Sequence, residues 1–224
     1  NIFIRTSVSK TNVYEQEAIL VTYKLYTLLD VAQFTDMKFP DFNGFLKQEI
    51  EQSKNAQLSY ANYNGKNYGT VVLYQVLLFP QRTGEINIDK ANFTAILRIQ
   101  NRAQVRSIFD DFFDSYSNVK KNLTAPGARI VVNALPPGKP ASFTGAVGNF
   151  NLTSSISTTN LKANEAAIIK VVISGTGNMK LLQNPQIKFP DGFEVYDPKA
   201  DNKFGTNAKG VSGTKTIEYM FIPQ

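Results

Sequence analysis

Apolar and polar side chains alternate with a period of two along most of this chain, which is the pattern of strands with one face in a core and one in water. Between Ile2 and Val8, the residues Ile2, Ile4 and Thr6 fall on one side and Phe3, Arg5 and Ser7 on the other, predicting a half-exposed strand. Thr11 to Glu17 reads as a polar turn, and Ala18 to Tyr26 as a second strand rich in β-branched and aromatic residues. In Lys38-Phe39-Pro40-Asp41-Phe42-Asn43-Gly44-Phe45, the proline and the Asn-Gly step exclude a central strand and predict an edge followed by a turn. Asn64-Gly65 is a hairpin signal: Gln57 to Tyr63 leads in, and Tyr68 to Phe79, the longest apolar strand pattern, leads out to Pro80. Gly84 to Leu97 predicts a further strand pair, and Ala128 to Leu135 a closing strand.

One segment departs from this period. Ile108, Phe109, Phe112, Phe113 and Tyr116 recur at helical spacing, with Asp110, Asp111 and Asp114 between them, which predicts a short acidic, phenylalanine-rich insertion near 105–125. Its aromatics either plug one end of a sandwich or, displayed outward, serve as interface anchors. Further on, Leu135-Pro136-Pro137-Gly138-Lys139-Pro140 carries three prolines that cannot continue a ladder, and it reads as a stiff joint.

After that joint the pattern restarts. Ser7 to Ala18 aligns without a gap on Ser155 to Ala166, Lys38-Phe39-Pro40-Asp41 on Lys188-Phe189-Pro190-Asp191, and Phe79-Pro80-Gln81 on Ile222-Pro223-Gln224 after Gly-Thr steps at Gly69 and Gly213. Three matches in order identify a duplicated β module. The expected fold is therefore all-β: two tandem immunoglobulin-like β-sandwich units, residues 1–135 and 142–224, joined by 136–141. The residues that follow Gln81 in the first copy have no counterpart after Gln224, so the second sandwich is expected to be truncated, lacking one or two strands and leaving an edge to be covered or paired.

Composition narrows the chemistry. The 224 residues suit two domains of about 100 residues each. No apolar run approaches the roughly 20 residues that span a bilayer. With no cysteine and no histidine, there is no disulfide, thiolate nucleophile, imidazole base or ordinary zinc site. The absence of tryptophan weakens a sugar-stacking module, although ten tyrosines could substitute. A net charge of +6 raises nucleic acid as a partner. The lysines, however, are scattered singly, with no basic run or helical stripe, so a solvated basic surface is the preferred reading.

The remaining motifs are weak. Gly175-Thr176-Gly177-Asn178 resembles half a phosphate loop, yet the third glycine, the Lys-Ser/Thr pair and a following helix are missing, and a tight β connection explains it. Asp110, Asp111 and Asp114 lack a glycine-spaced calcium loop. Among Glu15, Glu17, Glu49, Glu51 and the aspartates nothing selects the pair of carboxylates that a glycosidase needs. Asn92-Phe93-Thr94, Asn122-Leu123-Thr124 and Asn151-Leu152-Thr153 fit the glycosylation pattern, which matters only in a host that uses it. No enzyme and no cofactor are expected.

Leu135 to Phe150, Val13-Tyr14-Glu15-Gln16-Glu17 ahead of the Thr22 to Tyr26 strand, Phe109-Asp110-Asp111-Phe112-Phe113, Gly175-Thr176-Gly177-Asn178 and Val195-Tyr196-Asp197-Pro198-Lys199 together resemble the BatD oxygen-tolerance family of the Bacteroides aerotolerance operon. The resemblance covers most of the chain, without the family's secretion signal, further ectodomain and membrane helix. It implies a fragment of an exported, membrane-tethered protein on the periplasmic face of the inner membrane, encoded with von Willebrand A-type proteins and a MoxR-type ATPase. The function expected on this basis is a non-enzymatic interaction or scaffold module. Phe109, Asp110, Asp111, Phe112, Phe113 and Asp114 are its candidate docking residues, and one of the aspartates is a candidate to complete the metal shell of a von Willebrand A-type partner. The alternative is a surface adhesin or glycan-binding module, for which Tyr60, Tyr63 and Tyr68 would have to form an exposed aromatic platform.

Overall fold

The structure, a computed structural model, describes residues 1–50, 57–100 and 116–224. Strands are the dominant element of the described chain, as its period-two pattern predicts, and the only helical element among the described residues is a 3-10 turn at Met179–Leu181. Among the described residues, eleven strands lie in the N-terminal region, before the proline-rich joint: β1 (Ile2–Val8), β2 (Asn12–Tyr14), β3 (Ile19–Thr27), β4 (Asp30–Lys38), β5 (Phe45–Glu49), β6 (Ser59–Tyr63), β7 (Lys66–Pro80), β8 (Gly84–Ile88), β9 (Ala91–Gln100), β10 (Tyr116–Ala125) and β11 (Ala128–Asn133). The C-terminal region after the joint holds β12 (Gly148–Ile156), β13 (Ala167–Gly177), β14 (Phe193–Val195), β15 (Lys199–Asn207) and β16 (Gly210–Pro223).

The largest sheet of the N-terminal region has the order β1-β3-β7-β5, with β6 hairpinned onto β7. The turn at Asn64 and Gly65 has positive φ at both positions, 49° and 78°, the left-handed pair that a tight type I′ hairpin demands and that Asn-Gly tolerates best. Facing this sheet are two three-stranded sheets, β10-β9-β4 and β2-β11-β8. Ile19, Val21, Tyr23 and Leu25 alternate inward along β3 to meet Phe93, Ala95 and Leu97 of β9 and Ile130 and Val132 of β11 in one buried core.

Three local expectations change here. Gly84 to Leu97 is not a hairpin: β8 and β9 pair with β11 and β10, so the polar Asp89-Lys90 step is a bend within one long two-stranded ribbon. The bend passes close to the facing strand, and a side chain on Gly127 would run into the carbonyl oxygen of Ile88. Within the expected insertion near 105–125, residues 116–125 form β10 instead. Its mostly exposed side chains give no inward apolar stripe to read, because it is a sheet edge. The polar turn at Thr11 to Glu17 contains β2, which pairs in parallel with β11.

The repeat extends to individual hydrogen bonds. The sheet β12-β13-β16-β14, with β15 hairpinned onto β16, has the same order as β1-β3-β7-β5 with β6 on β7. Ser9 Oγ accepts from Leu20 N, and Ser157 Oγ from Ile168 N, each at 2.9 Å. Gln16 N donates to Pro80 O as Asn164 N donates to Pro223 O, and both Gln16 and Asn164 are left-handed, with φ of 68° and 66°. Gln81 N reaches Gly44 O as Gln224 N reaches Gly192 O. No second sheet faces β12-β13-β16-β14 among the described residues. The irregular stretch 182–190 packs Leu182, Ile187 and Phe189 against Val171, Ile173, Ile217 and Tyr219 in its place.

The two regions meet through a second cluster. Leu77 and Phe79 lie on the outer face of the first sheet, and Met179 and Val211 bury them, with Phe150, Leu182 and Phe204 packed around. At the edge of this seam Asn178 Nδ2 donates to Gln16 Oε1 at 3.1 Å, and Gln16 and Gln81 exchange amide hydrogen bonds. Lys180 Nζ reaches Gln48 Oε1 at 2.7 Å.

This packing sets the expected response to substitution. Truncating Leu77 to Ala empties the seam and should cost about 2–5 kcal/mol in urea denaturation. Leu46→Ala, on the neighbouring strand but 53% exposed, should stay within about 0.5 kcal/mol. Tyr23 is fully buried, and its hydroxyl is without a hydrogen-bond partner. Removing it in Tyr23→Phe should therefore stabilise the fold at neutral pH by about 1 kcal/mol. Burial also pushes the Tyr23 phenol up to about 12, so the folded state favours the neutral form. That contribution is complete below the ordinary tyrosine value of 10 and is lost as pH rises through 12. Denaturation across that interval should show a steep loss in the parent chain and a shallower one in Tyr23→Phe.

Candidate interaction site

The expected docking residues Phe109, Asp110, Asp111, Phe112, Phe113 and Asp114 lie outside the described residues. What the structure fixes is where their segment attaches. Gln100, the last residue of β9, is paired directly with Tyr116, the first of β10, so the connection leaves and re-enters the ribbon at one point. This is the end of the first sandwich remote from the seam, since Leu77 and Phe79 pack at the start of β3 and this connection stands near its finish.

Exposed apolar side chains stand on both faces of this strand end, Ile99 and Val119 on the face that carries Leu97, and Tyr116 on the opposite one. Leu28 and Leu29 in the β3–β4 turn, Ile99 on β9, and Tyr116 and Val119 on β10 are all exposed. Asp30 and Arg98, register partners on β4 and β9, form an exposed ion pair at 3.5 Å beside them. Exposed large side chains scattered singly need no explanation, but several at one strand end do. Leu28-Leu29 carries the one signal that a sequence reading could have used, an apolar pair in a tight turn where polar residues are usual.

The tyrosine platform is not formed. Tyr60 is 69% exposed, whereas Tyr68 is 7% exposed, and the two lie on opposite faces of the β6–β7 hairpin. Tyr63 and Tyr68 instead join Phe3 and Tyr26 in a packed aromatic cluster on the outer face of the first sheet, where Phe3 stacks on Tyr26 at 5.0 Å. Arg5 lies over the Tyr63 ring at 5.3 Å and Lys24 over Tyr26 at 5.7 Å, so cations rather than open ring faces meet the solvent.

The glycines after Ile173 act on the backbone. Phe150, Gly175, Gly213 and Phe204 form one row across four strands, with the two glycines in the middle. A side chain on Gly175 would collide with the carbonyl oxygen of Asn149, and one on Gly213 with that of Lys203. The phenylalanines at the row's ends pack into the seam, so these glycines serve sheet geometry, and the 3-10 turn after them is too short to hold a phosphate. A cleft of about 720 Å³ lies beside them, lined by Lys10, Glu17, Asn149, Thr176 and Lys209 among others. Lys10 is already paired with Glu17 at 3.4 Å there.

Among the described residues, Glu17 and Glu49 have separate partners. Glu17 faces Lys10, and Glu49 accepts from the Tyr74 hydroxyl at 2.7 and 2.8 Å. Burial, with the Glu49 carboxylate as the smaller cause, raises the Tyr74 phenol above its ordinary value. Glu51 lies outside the described residues. Among the described residues no group of three His, Cys, Asp or Glu could hold a metal ion, and no helix is long and apolar enough to cross a membrane. Asn92, Asn122 and Asn151 all sit on strands. Two of these sequons interlock across β9 and β10, Thr124 donating to Asn92 and Thr94 to Asn122.

No curated protein matches the chain. The family model described as the BatD DUF11-like domain matches residues 6–108 and 154–224, one stretch on each side of the proline-rich joint and covering both copies of the repeat. Neither that family nor this all-β fold is known as enzymatic. With the match spanning most of its length, and with the repeated β architecture behind it, the chain belongs to the BatD family and is a module of an aerotolerance-associated membrane protein.

Proposed function

We propose that this chain is a non-enzymatic interaction module of a membrane-tethered protein on the periplasmic face of the inner membrane. Its two units, 1–135 and 142–224, joined at 136–141, act as a spacer that presents a docking end to von Willebrand A-type partners of a MoxR-associated complex. The observation that carries this reading is the apolar rim of Leu28, Leu29, Ile99, Tyr116 and Val119 at the point where the Phe- and Asp-rich connection joins β9 to β10. Aromatic and aliphatic anchors ringed by polar residues are what protein interfaces use, and strand ends on a rigid sandwich hold them in place. Asp110, Asp111 and Asp114 belong to that connection, suitably placed in sequence to offer a carboxylate to the open coordination position of a von Willebrand A-type metal site.

Capture of von Willebrand A-type partners by the immobilised chain tests this. Ile99→Asp with Tyr116→Ala should weaken capture at least about tenfold, the effect of losing about 1.4 kcal/mol or more at an anchor. Changing Asp110, Asp111 and Asp114 to Ala should remove the magnesium-dependent component of the binding. Undiminished capture by the rim variant would overturn the proposal, and undiminished magnesium dependence would remove the carboxylate from it.

A further inference from the structure

The outer face of the first sheet carries positive charge that nothing in the fold neutralises. Side chains of directly paired residues project to the same side of a sheet. Phe3 and Tyr26, Arg5 and Lys24, and Tyr63 and Lys66 are such pairs, and all stand on the face that carries Leu77. Arg5 and Lys24 are thus like charges in direct register, an arrangement that weakens a strand pair. Neither forms an ion pair among the described residues, whereas Arg98 stands beside Asp30, Lys38 beside Asp36 and Arg129 beside Glu85. Strands β1, β3, β6 and β7 contain no acidic residue, and Glu49 of β5 points inward to Tyr74.

The second copy of the sheet shows that these side chains are not framework. At the positions of Phe3, Arg5, Lys24 and Tyr26 it has Asn151, Thr153, Val172 and Ser174, paired in the same register. The same strand order forms there with neither a ring nor a charge at the four positions. What the first copy adds is a supported cation site. Phe3, Tyr26, Tyr63 and Tyr68 pack together, and Arg5 lies over the Tyr63 and Tyr26 rings at 5.3 and 5.9 Å. A guanidinium resting on rings keeps N–H groups free to donate to a phosphate, and Lys24 adds a second charge at its side. Val72, the register partner of Lys24 on β7, is 40% exposed next to them.

We propose that this face rests on an anionic phospholipid surface, with Arg5 and Lys24 donating to headgroup phosphates and the exposed Lys66 reinforcing them. Charge complementarity selects the occupant: a broad face with cations and no acids matches an anionic layer, and tyrosine rings beside an aliphatic side chain suit the boundary between headgroups and acyl chains. The chain is a module of a membrane protein, so such a layer lies within its reach. Each cation contributes roughly fivefold to partition onto an anionic leaflet, about a hundredfold for three. That is modest for a free chain and ample for one held at the membrane, where attachment supplies a high local concentration. The contact presupposes only the membrane attachment and shares no residue with the rim at Ile99 and Tyr116, so vesicle binding and partner capture can be lost separately.

Partition of the chain onto vesicles of phosphatidylglycerol, and of phosphatidylcholine, tests this at about 0.1 M salt, where charges more than about 10 Å from the surface are screened. Binding to phosphatidylglycerol alone is expected, falling at least about tenfold in Arg5→Gln with Lys24→Gln. The charge-matched control Lys162→Gln with Lys199→Gln, in the C-terminal region, should change it by less than about threefold. Because the chain has no cysteine, Val72→Cys can carry one environment-sensitive dye with the cations intact. Its emission should shift to the blue on phosphatidylglycerol, and that of the same dye at Asn92→Cys, on the outward side of β9, should not. Equal losses in the two double variants would overturn the proposal, since net charge would then suffice. So would the absence of phosphatidylglycerol binding, with capture of poly-L-glutamate then marking an acidic protein partner and capture of glycerol phosphate a free phosphate ester.

Discussion

Strand β7 passes between two apolar layers, and from Val76 to Phe79 none of its residues faces water. Val76 and Leu78 point into the first core, and Leu77 and Phe79 point outward beneath Met179 and Val211. A strand covered on both faces cannot slip its register without driving apolar side chains against the wrong layer, so β7 pins both the first sheet and the position of the C-terminal region on it. The other seam contacts are oriented by this one. The Gln16, Gln81 and Asn178 amides satisfy one another at its edge, and the glycine row brings Phe150 and Phe204 close enough to surround Leu77 and Phe79.

This arrangement leaves apolar side chains exposed in two places. The bent ribbon of β8–β9 and β10–β11 runs across the first core and ends at a rim of exposed apolar side chains. The copy of the first sheet that begins at β12 carries no such ribbon among the described residues, and the same face stands open. Both features come from one structural device, a two-stranded arm folded over a five-stranded sheet. In the N-terminal region it covers the sheet, whereas among the described residues of the C-terminal region the stretch 182–190 packs on the corresponding face.

Much of this was legible in the sequence. Alternation between Ile2 and Val8 and from Ala18 to Tyr26, the Asn64-Gly65 hairpin, the edge strand ending at Phe39-Pro40 and the duplicated Ser-to-Ala stretches all depend on interactions within a few residues, and short-range chemistry is written locally. Local pattern is a poorer guide where a strand is exposed or bent. β10 has no inward stripe to separate its residues from the insertion before them. The Asp89-Lys90 step resembles a turn because a bend within a strand and a turn between strands use the same polar residues. The rim stayed hidden for a related reason, since Leu28-Leu29, Ile99 and Tyr116 are far apart in sequence and only strand pairing collects them.

The sequence by itself determined an all-β chain with a duplicated module, because strand period, turn residues and repeat spacing are local properties that neighbouring side chains settle. Tertiary structure alone decided which faces are covered. Leu77 and Leu46 are both leucines on adjoining strands, and Leu152 matches Ile4 position for position, yet one of each pair is buried and the other open. The difference lies in which layer comes to rest above each residue, and that depends on long-range packing that no local pattern encodes.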